Sequence, residues 1–219
     1  MNPYSHIVVA SKLEPLVHPE HTQDYYWGAI APDIRYPALM QREQTHIPSQ
    51  RIIGFISQYP HLKSFLQGYL VHCLTDEIEL GQILFQWFPF SVLKGKMSRQ
   101  RMAVILELYH FENEKLNKTL SGSHNEVLSE LGLNKSLSTR FSESISQYAT
   151  SLSPESRLAC LFELLGLEND SRTERYMAAA RSFQKNWFLR YALFLGIRRG
   201  RISEQVVSRV ASLYQQCDV

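Results

Sequence analysis

Apolar residues recur along this chain at spacings of three and four, and they almost never alternate with polar ones. Ile7, Ala10, Leu13 and Val17 form the first such stripe, the mark of a short helix with one buried face. Pro15 falls in its second half, so the pattern predicts a helix that ends early or bends there. Aromatic and small residues fill Thr22 to Ala31, and Pro32 then predicts an irregular segment from Asp33 to Pro37. A helix is expected after Pro48, because proline suits a first turn, and it should reach about Gln58. The longest apolar pattern begins near His61, passes Leu66, Leu70 and Leu74, and points towards Trp87, with Pro89 as its stop. Ser98 is a good N-cap for the next helix, which passes Ala103, Leu106, His110 and Leu116 before Ser121-Gly122-Ser123. Further helices are expected at about 124–132, 137–150, 154–166, 171–198 and 203–216. Ser153-Pro154-Glu155 is a start signal among them, and Gly166 a stop.

No stretch alternates with period two between hairpin turns, so the fold class is all-α, a multi-helix bundle. A chain of 219 residues is long enough for one compact domain with a real core. The break at Ser121–Ser123 divides a core at 1–120 from a C-terminal helical extension at 121–219, expected to pack together as one domain. Composition changes little in this picture. A formal net charge of +2 gives no field that calls for nucleic acid or an anionic surface. Three cysteines without a CxxC pair argue against a thiolate zinc site and a disulfide scaffold, and for reduced thiols. No Gly-rich phosphate loop, Gly-x-Ser-x-Gly elbow or basic nucleic-acid motif is present. The opening residues lack the basic and apolar regions of a signal peptide. The apolar stretches Ile83–Leu93 and Trp187–Ile197 fall short of the roughly 20 residues that cross a bilayer. A cytoplasmic protein is expected.

Chemistry enters through the histidines. His72 and Asp76 are four residues apart on the long apolar helix, and His110 and Glu114 share that spacing on the next, so each pair projects from one helix face. Facing helices in a bundle bring such pairs together, and imidazole with carboxylate is a ligand set that suits zinc, with other divalent metals open to it. One pair alone is more often a solvated or structural feature. His72 and Asp76, however, lie among Phe65, Leu66, Leu70 and Leu74. A buried, unpartnered Asp76 there would cost several kcal/mol, so it calls for a metal or a cation.

The order of short motifs extends this reading. Ser5-His6-Ile7-Val8-Val9-Ala10 comes first, then Gly28-Ala29-Ile30-Ala31-Pro32-Asp33, then Thr45-His46. Gly68 to Asp76 and His110-Phe111-Glu112-Asn113-Glu114 follow. This series resembles the zinc-dependent phospholipase C family, which includes the N-terminal domain of glycosylphosphatidylinositol-specific phospholipase D and shares its all-α fold with the fungal single-strand nucleases. The resemblance covers about residues 5 to 116. It implies one to three zinc ions. His46, His72 and Asp76 would hold the first, with Asp76 bridging to a second that His6 also binds, and His110 and Glu114 would hold a third. Asp33 would be the catalytic carboxylate that orients or deprotonates water. Members also carry a histidine shortly after the His-x-x-x-Asp pair, where this chain has Leu80 and Gln82, so the third site would be weak, completed by water or Glu79, or absent. The implied activity is hydrolysis of a phospholipid or related phosphodiester by metal-bound hydroxide. The alternatives are a nuclease or nucleotide phosphohydrolase on the same scaffold, and a non-catalytic helical binding protein with a structural metal.

Other features have plainer readings. His18, His21, His61 and His124 sit in loops or near helix starts and are expected to be exposed or capping. Arg35 and Arg42 lie near the ligands and would meet a phosphate there, though surface arginines are the first expectation. Tyr25, Tyr26 and Trp27 are expected in the core. Phe183–Arg201 mixes aromatic with basic residues, which fits either a peripheral membrane contact or a buried helix with a basic C-terminal end.

Overall fold

A computed structural model describes residues 3–79, 83, 106–110, 112–114, 120, 122–150, 156, 159–160, 163, 185–217 and 219. The side chains of residues 187–190 are outside that set. Helices dominate, and the described residues contain no strand, as the absence of period-two patterning requires. In chain order the elements are α1 (Pro3–Val17), α2 (Thr22–Gly28), a 3-10 turn (Ala31–Arg35), α3 (Arg42–Thr45), α4 (Ser49–Gln58), a second 3-10 turn (Pro60–Leu62) and α5 (Lys63–Glu77). Then come α6 (Glu126–Glu130), α7 (Lys135–Thr150), α8 (Trp187–Arg199) and α9 (Ile202–Gln215).

The expected stripe Ile7, Ala10, Leu13 and Val17 is buried on α1. Pro15 does not end the helix, since α1 continues to Val17. Proline near a C-terminal end removes only one hydrogen bond, and His18 then stops the helix with φ at 49°. The helix from Ser49 to Gln58 lies where expected, with Ile52 and Phe55 turned inward.

Helix α5 is the centre of the molecule and packs against α1, α2, α4 and α9. Every residue from Ser64 to Thr75 is buried, which explains why its apolar pattern has no clean polar face. It ends at Glu77, ten residues before the expected Trp87. Its last turn tightens, with Ile78 N–H donating to the Thr75 carbonyl at 3.3 Å, while the Thr75 hydroxyl donates back to Val71 at 2.7 Å. Leu80 and most of the stretch to Trp87 lie outside the described residues.

Helices α2 and α5 cross at two glycines. A Cβ at Gly28 would overlap the Phe65 carbonyl, and one at Gly68 would overlap the Tyr25 carbonyl. This backbone contact seats Tyr25, Tyr26 and Trp27 in the core. Of the C-terminal elements, α9 packs on α5 and α1. The helices expected at 124–132, 137–150 and 203–216 are present as α6, α7 and α9. That expected at 154–166 falls largely outside the described residues.

On α8, Leu193 and Ile197 face inward and Phe194 meets Tyr109 edge-on at 5.2 Å. Tyr191 is exposed, and Arg198 and Arg199 occupy the last turn. Phe183 and the side chains of Trp187 and Phe188 lie outside the described residues. Among the described residues no helix is long and apolar enough to cross a membrane.

Candidate metal centre

Five side chains from four elements converge beside the middle of α5. His6 comes from α1, Asp33 from the first 3-10 turn, His46 from the residue after α3, and His72 and Asp76 from successive turns of α5. His46 Nε2 lies 3.2 Å from His72 Nε2 and 3.1 Å from Asp76 Oδ2. His6 Nε2 lies 3.3 Å from Asp76 Oδ1, and the His6 and His72 rings stack with centroids 3.7 Å apart. Asp33 Oδ1 is 4.0 Å from His72 Nε2.

The backbone fixes the key imidazole. His72 is fully buried, and its Nδ1 lies 2.8 Å from the carbonyl of Ala29. That carbonyl makes Nδ1 the protonated nitrogen and leaves the Nε2 lone pair facing the centre. Ala29 follows Gly28 directly, so the close crossing of α2 and α5 is what brings its carbonyl within reach.

Burial lowers His6 to about 4, lowers His46, and lowers His72 well below its ordinary value. All three are neutral at neutral pH, the form in which imidazole ligates a metal. Burial, reinforced by the charge of Asp76, pushes Asp33 up to about 7. Burial opposes the charge on Asp76 as well, but the surrounding positive charge and the contacts from His46 and His6 hold it well below the usual carboxylate range.

The donor set fits a metal. Two groups of ligand atoms lie within 4.8 Å of one another, His46 with His72 and Asp76, and His6 with Asp33 and His72. Ligand atoms about 2.05 Å from a tetrahedral zinc lie about 3.3 Å apart, close to the separations of His46 Nε2 from His72 Nε2 and from Asp76 Oδ2. Asp33 Oδ2 is buried without a hydrogen bond among the described residues, and His6 Nε2 has the 3.3 Å approach to Asp76 Oδ1 in place of a full hydrogen bond, a costly arrangement that a bound cation relieves. His72 offers one lone pair and can serve one ion only. Asp76 turns one oxygen to His46 and the other to His6, so it is the group able to span two.

His110 and Glu114, expected to hold a third ion, are not in this cluster. His110 is buried with Nδ1 3.0 Å from the Ser5 hydroxyl and Nε2 2.8 Å from the Ser203 hydroxyl, so both ring nitrogens are engaged. Glu114 pairs with Lys12 at 2.7 Å. Neither residue belongs to a metal-compatible group among the described residues. Their helical spacing is real, but the face they share meets hydroxyls and a lysine.

Two residues matter more than the sequence suggested. Glu107 is buried and accepts hydrogen bonds from Tyr4 N–H at 2.8 Å, Ser5 N–H at 2.8 Å, the Ser5 hydroxyl at 2.6 Å and the Tyr148 hydroxyl. It thereby satisfies the open N-terminus of α1, which has no acidic residue in its first turn. His6 is the next residue, so Glu107 sets where that imidazole stands. The only signal was an acid between Leu106 and Leu108 in an apolar run. Arg42 is the other, with Nη1 2.8 Å from Asp76 Oδ2, where a plain surface arginine was expected. Of the remaining histidines, His18, His21 and His61 are exposed, and His124 bridges the Ser138 and Ser129 hydroxyls. Comparison with protein-family models, with curated proteins and with solved structures found no match to this chain.

His110 gives a test apart from the cluster. Burial, with the Lys12 charge second, depresses it from 6.5 to about 3. A depressed histidine contributes stability fully above its unfolded pKa, and that contribution is lost as pH falls towards the folded value. Between pH 6.5 and 5 this loss amounts to about 2 kcal/mol. The variant His110→Gln is expected to flatten the acid limb of Tm against pH and to leave zinc stoichiometry unchanged. Loss of an ion in that variant would return His110 to the ligand set.

Proposed function

We propose that this chain is a metal-dependent phosphoric ester hydrolase with a two-ion centre, zinc preferred, built on the zinc-dependent phospholipase C and single-strand nuclease type of helical bundle. The observation that carries the reading is the convergence of His6, Asp33, His46, His72 and Asp76, drawn from sequence separations as large as seventy residues, on one buried spot. Their order along the chain supports the fold type.

Bound zinc would lower the pKa of a water to about 7 and neutralise charge developing on the phosphoryl oxygens. The protein's own groups do the rest. His46, His72 and Asp76 would hold one ion, and Asp76 with His6 would hold the other. Asp33 presents Oδ1 towards His72 and keeps Oδ2 unpartnered, so Oδ2 would accept a proton from the attacking water. That water would add to phosphorus as the ester P–O bond breaks, and the proton held by Asp33 would pass to the departing oxygen. Burial of Asp33 and His72 excludes bulk water from this side of the centre.

Elemental analysis after zinc loading should find two ions per chain. A Tm gain should accompany them, since each ion at 100-fold above its Kd adds about 2.7 kcal/mol. Hydrolysis of bis(p-nitrophenyl) phosphate should follow the metal content. A zinc count near zero with no Tm gain defeats the proposal. Two bound ions with no hydrolysis of any phosphoester would leave a structural metal centre in its place.

A further inference from the structure

The centre is not electrically symmetrical. Arg42, at the start of α3, has its side chain 43% exposed and places Nη1 2.8 Å from Asp76 Oδ2, the oxygen that His46 Nε2 meets at 3.1 Å. Among the described residues its other guanidinium donors have no partner, and its neighbour Glu43 makes no ion pair with it. Arg35 stands two residues after Asp33 in the same 3-10 turn. Its guanidinium covers the Tyr36 ring at 3.9 Å and donates to the Tyr36 hydroxyl at 2.5 Å, while its Nε is buried without a hydrogen bond. The Arg35 guanidinium thus rests on Tyr36, next to the turn that carries Asp33, while Arg42 meets Asp76 directly.

We propose that Arg42 and Arg35 form a cationic rim that selects anionic phosphoesters and disfavours choline headgroups. This rests on the hydrolase reading above, in which Asp76 would serve the metal ions, Asp33 would take the water's proton, and the guanidinium charges are left to the substrate. A guanidinium offers paired donors that match phosphate oxygens. Arg42 is the nearer and more exposed of the two, and it holds the substrate's negative charge. A quaternary ammonium group needs open aromatic faces. The face of Tyr36 is covered by Arg35, and Tyr25, Tyr26, Trp27 and Tyr69 are buried in the core. The rim therefore repels a trimethylammonium group, and the aromatic faces named here offer no cage with which to hold one.

The test uses the full chain loaded with zinc and three esters that share one leaving group: p-nitrophenyl phosphate, bis(p-nitrophenyl) phosphate and p-nitrophenyl phosphorylcholine. The kcat/KM for the first is expected to exceed that for the phosphorylcholine ester by roughly tenfold or more, the scale of one hydrogen bond to a charged group. Arg42→Gln and Arg35→Gln should each narrow that ratio through KM with zinc content unchanged, and Arg42→Lys should restore part of it. Preference for the phosphorylcholine ester, or equal losses on all three esters in Arg42→Gln, overturns the rim. Calorimetry with inorganic phosphate on the same zinc-treated protein separates the two readings. Wild type should bind phosphate and Arg42→Gln should bind it more weakly; equal binding, or none by wild type, overturns the rim whether or not esters are cleaved. Phosphate binding that depends on Arg42, with no ester hydrolysed, overturns the hydrolase reading and leaves the rim standing.

Discussion

Asp76→Asn is expected to lower kcat/KM for bis(p-nitrophenyl) phosphate by on the order of 10³-fold, the scale of losing one preorganised charged group at a reacting centre. The side chain keeps its shape, so packing around the end of α5 is retained. What changes is its ability to serve two partners. The carboxylate turns Oδ1 to His6 and Oδ2 to His46 and Arg42, whereas an amide keeps one acceptor oxygen and presents hydrogen-bond donors where the other stood. Zinc stoichiometry should therefore fall from two towards one. Arg42 loses its partner but is partly exposed and can turn to water, so a Tm within a few degrees of wild type is expected for the metal-free variant. Full activity with two ions retained would remove Asp76 from the centre and take the two-ion reading with it.

Part of this centre was legible because helical spacing is a local property. His72 and Asp76 share a face of α5 by periodicity alone, and the apolar residues around them foretold burial. His6, His46 and Asp33 were legible only through the order of short motifs. Periodicity states which residues share a face, but not what that face meets. Periodicity put His110 and Glu114 on one face and the family resemblance implied a third metal site there, whereas the structure gives hydroxyls from Ser5 and Ser203 and an ion pair with Lys12. Glu107 joins Tyr4 across 103 positions, and Arg42 reaches Asp76 across 34. Such contacts depend on how the helices pack, and no pattern along the chain encodes them.

The fold was legible to a similar depth. Starts and stops with local chemistry came out where expected, as at Ser49–Gln58 and Lys135–Thr150. The end of α5 did not, because apolar periodicity continued past Glu77 while hydrogen bonding at Thr75 closed the helix. The crossing of α2 on α5 was also hidden. Gly68 stands inside α5, where glycine ordinarily weakens the helix by roughly 0.5–1 kcal/mol relative to alanine, and Gly28 is the last residue of α2. Only the partner backbone across the crossing explains them.

That crossing yields the largest stability effect expected here. Gly68→Ala should destabilise the protein by about 3 kcal/mol or more, because its Cβ would overlap backbone atoms of Tyr25 and Ala29 that have no rotamer to relax into. At a chain of this size each kcal/mol shifts Tm by about 2–4 °C, so the variant should melt many degrees below wild type. Gly28→Ala should act alike through Phe65 and Tyr69. Gly54 is the internal control, since it is exposed in α4 with nothing within 4 Å of its Cβ position. Gly54→Ala should raise stability by about 0.5–1 kcal/mol on helix propensity alone. The site must feel the crossing too. Separating α2 from α5 withdraws the Ala29 carbonyl from His72 Nδ1, so any Gly68→Ala protein that still folds should bind zinc more weakly, by about 10–100-fold for a lost partner of a metal-bound histidine. Equal Tm values for Gly68→Ala and Gly54→Ala, with unchanged zinc affinity, would show that the helices do not meet at these glycines.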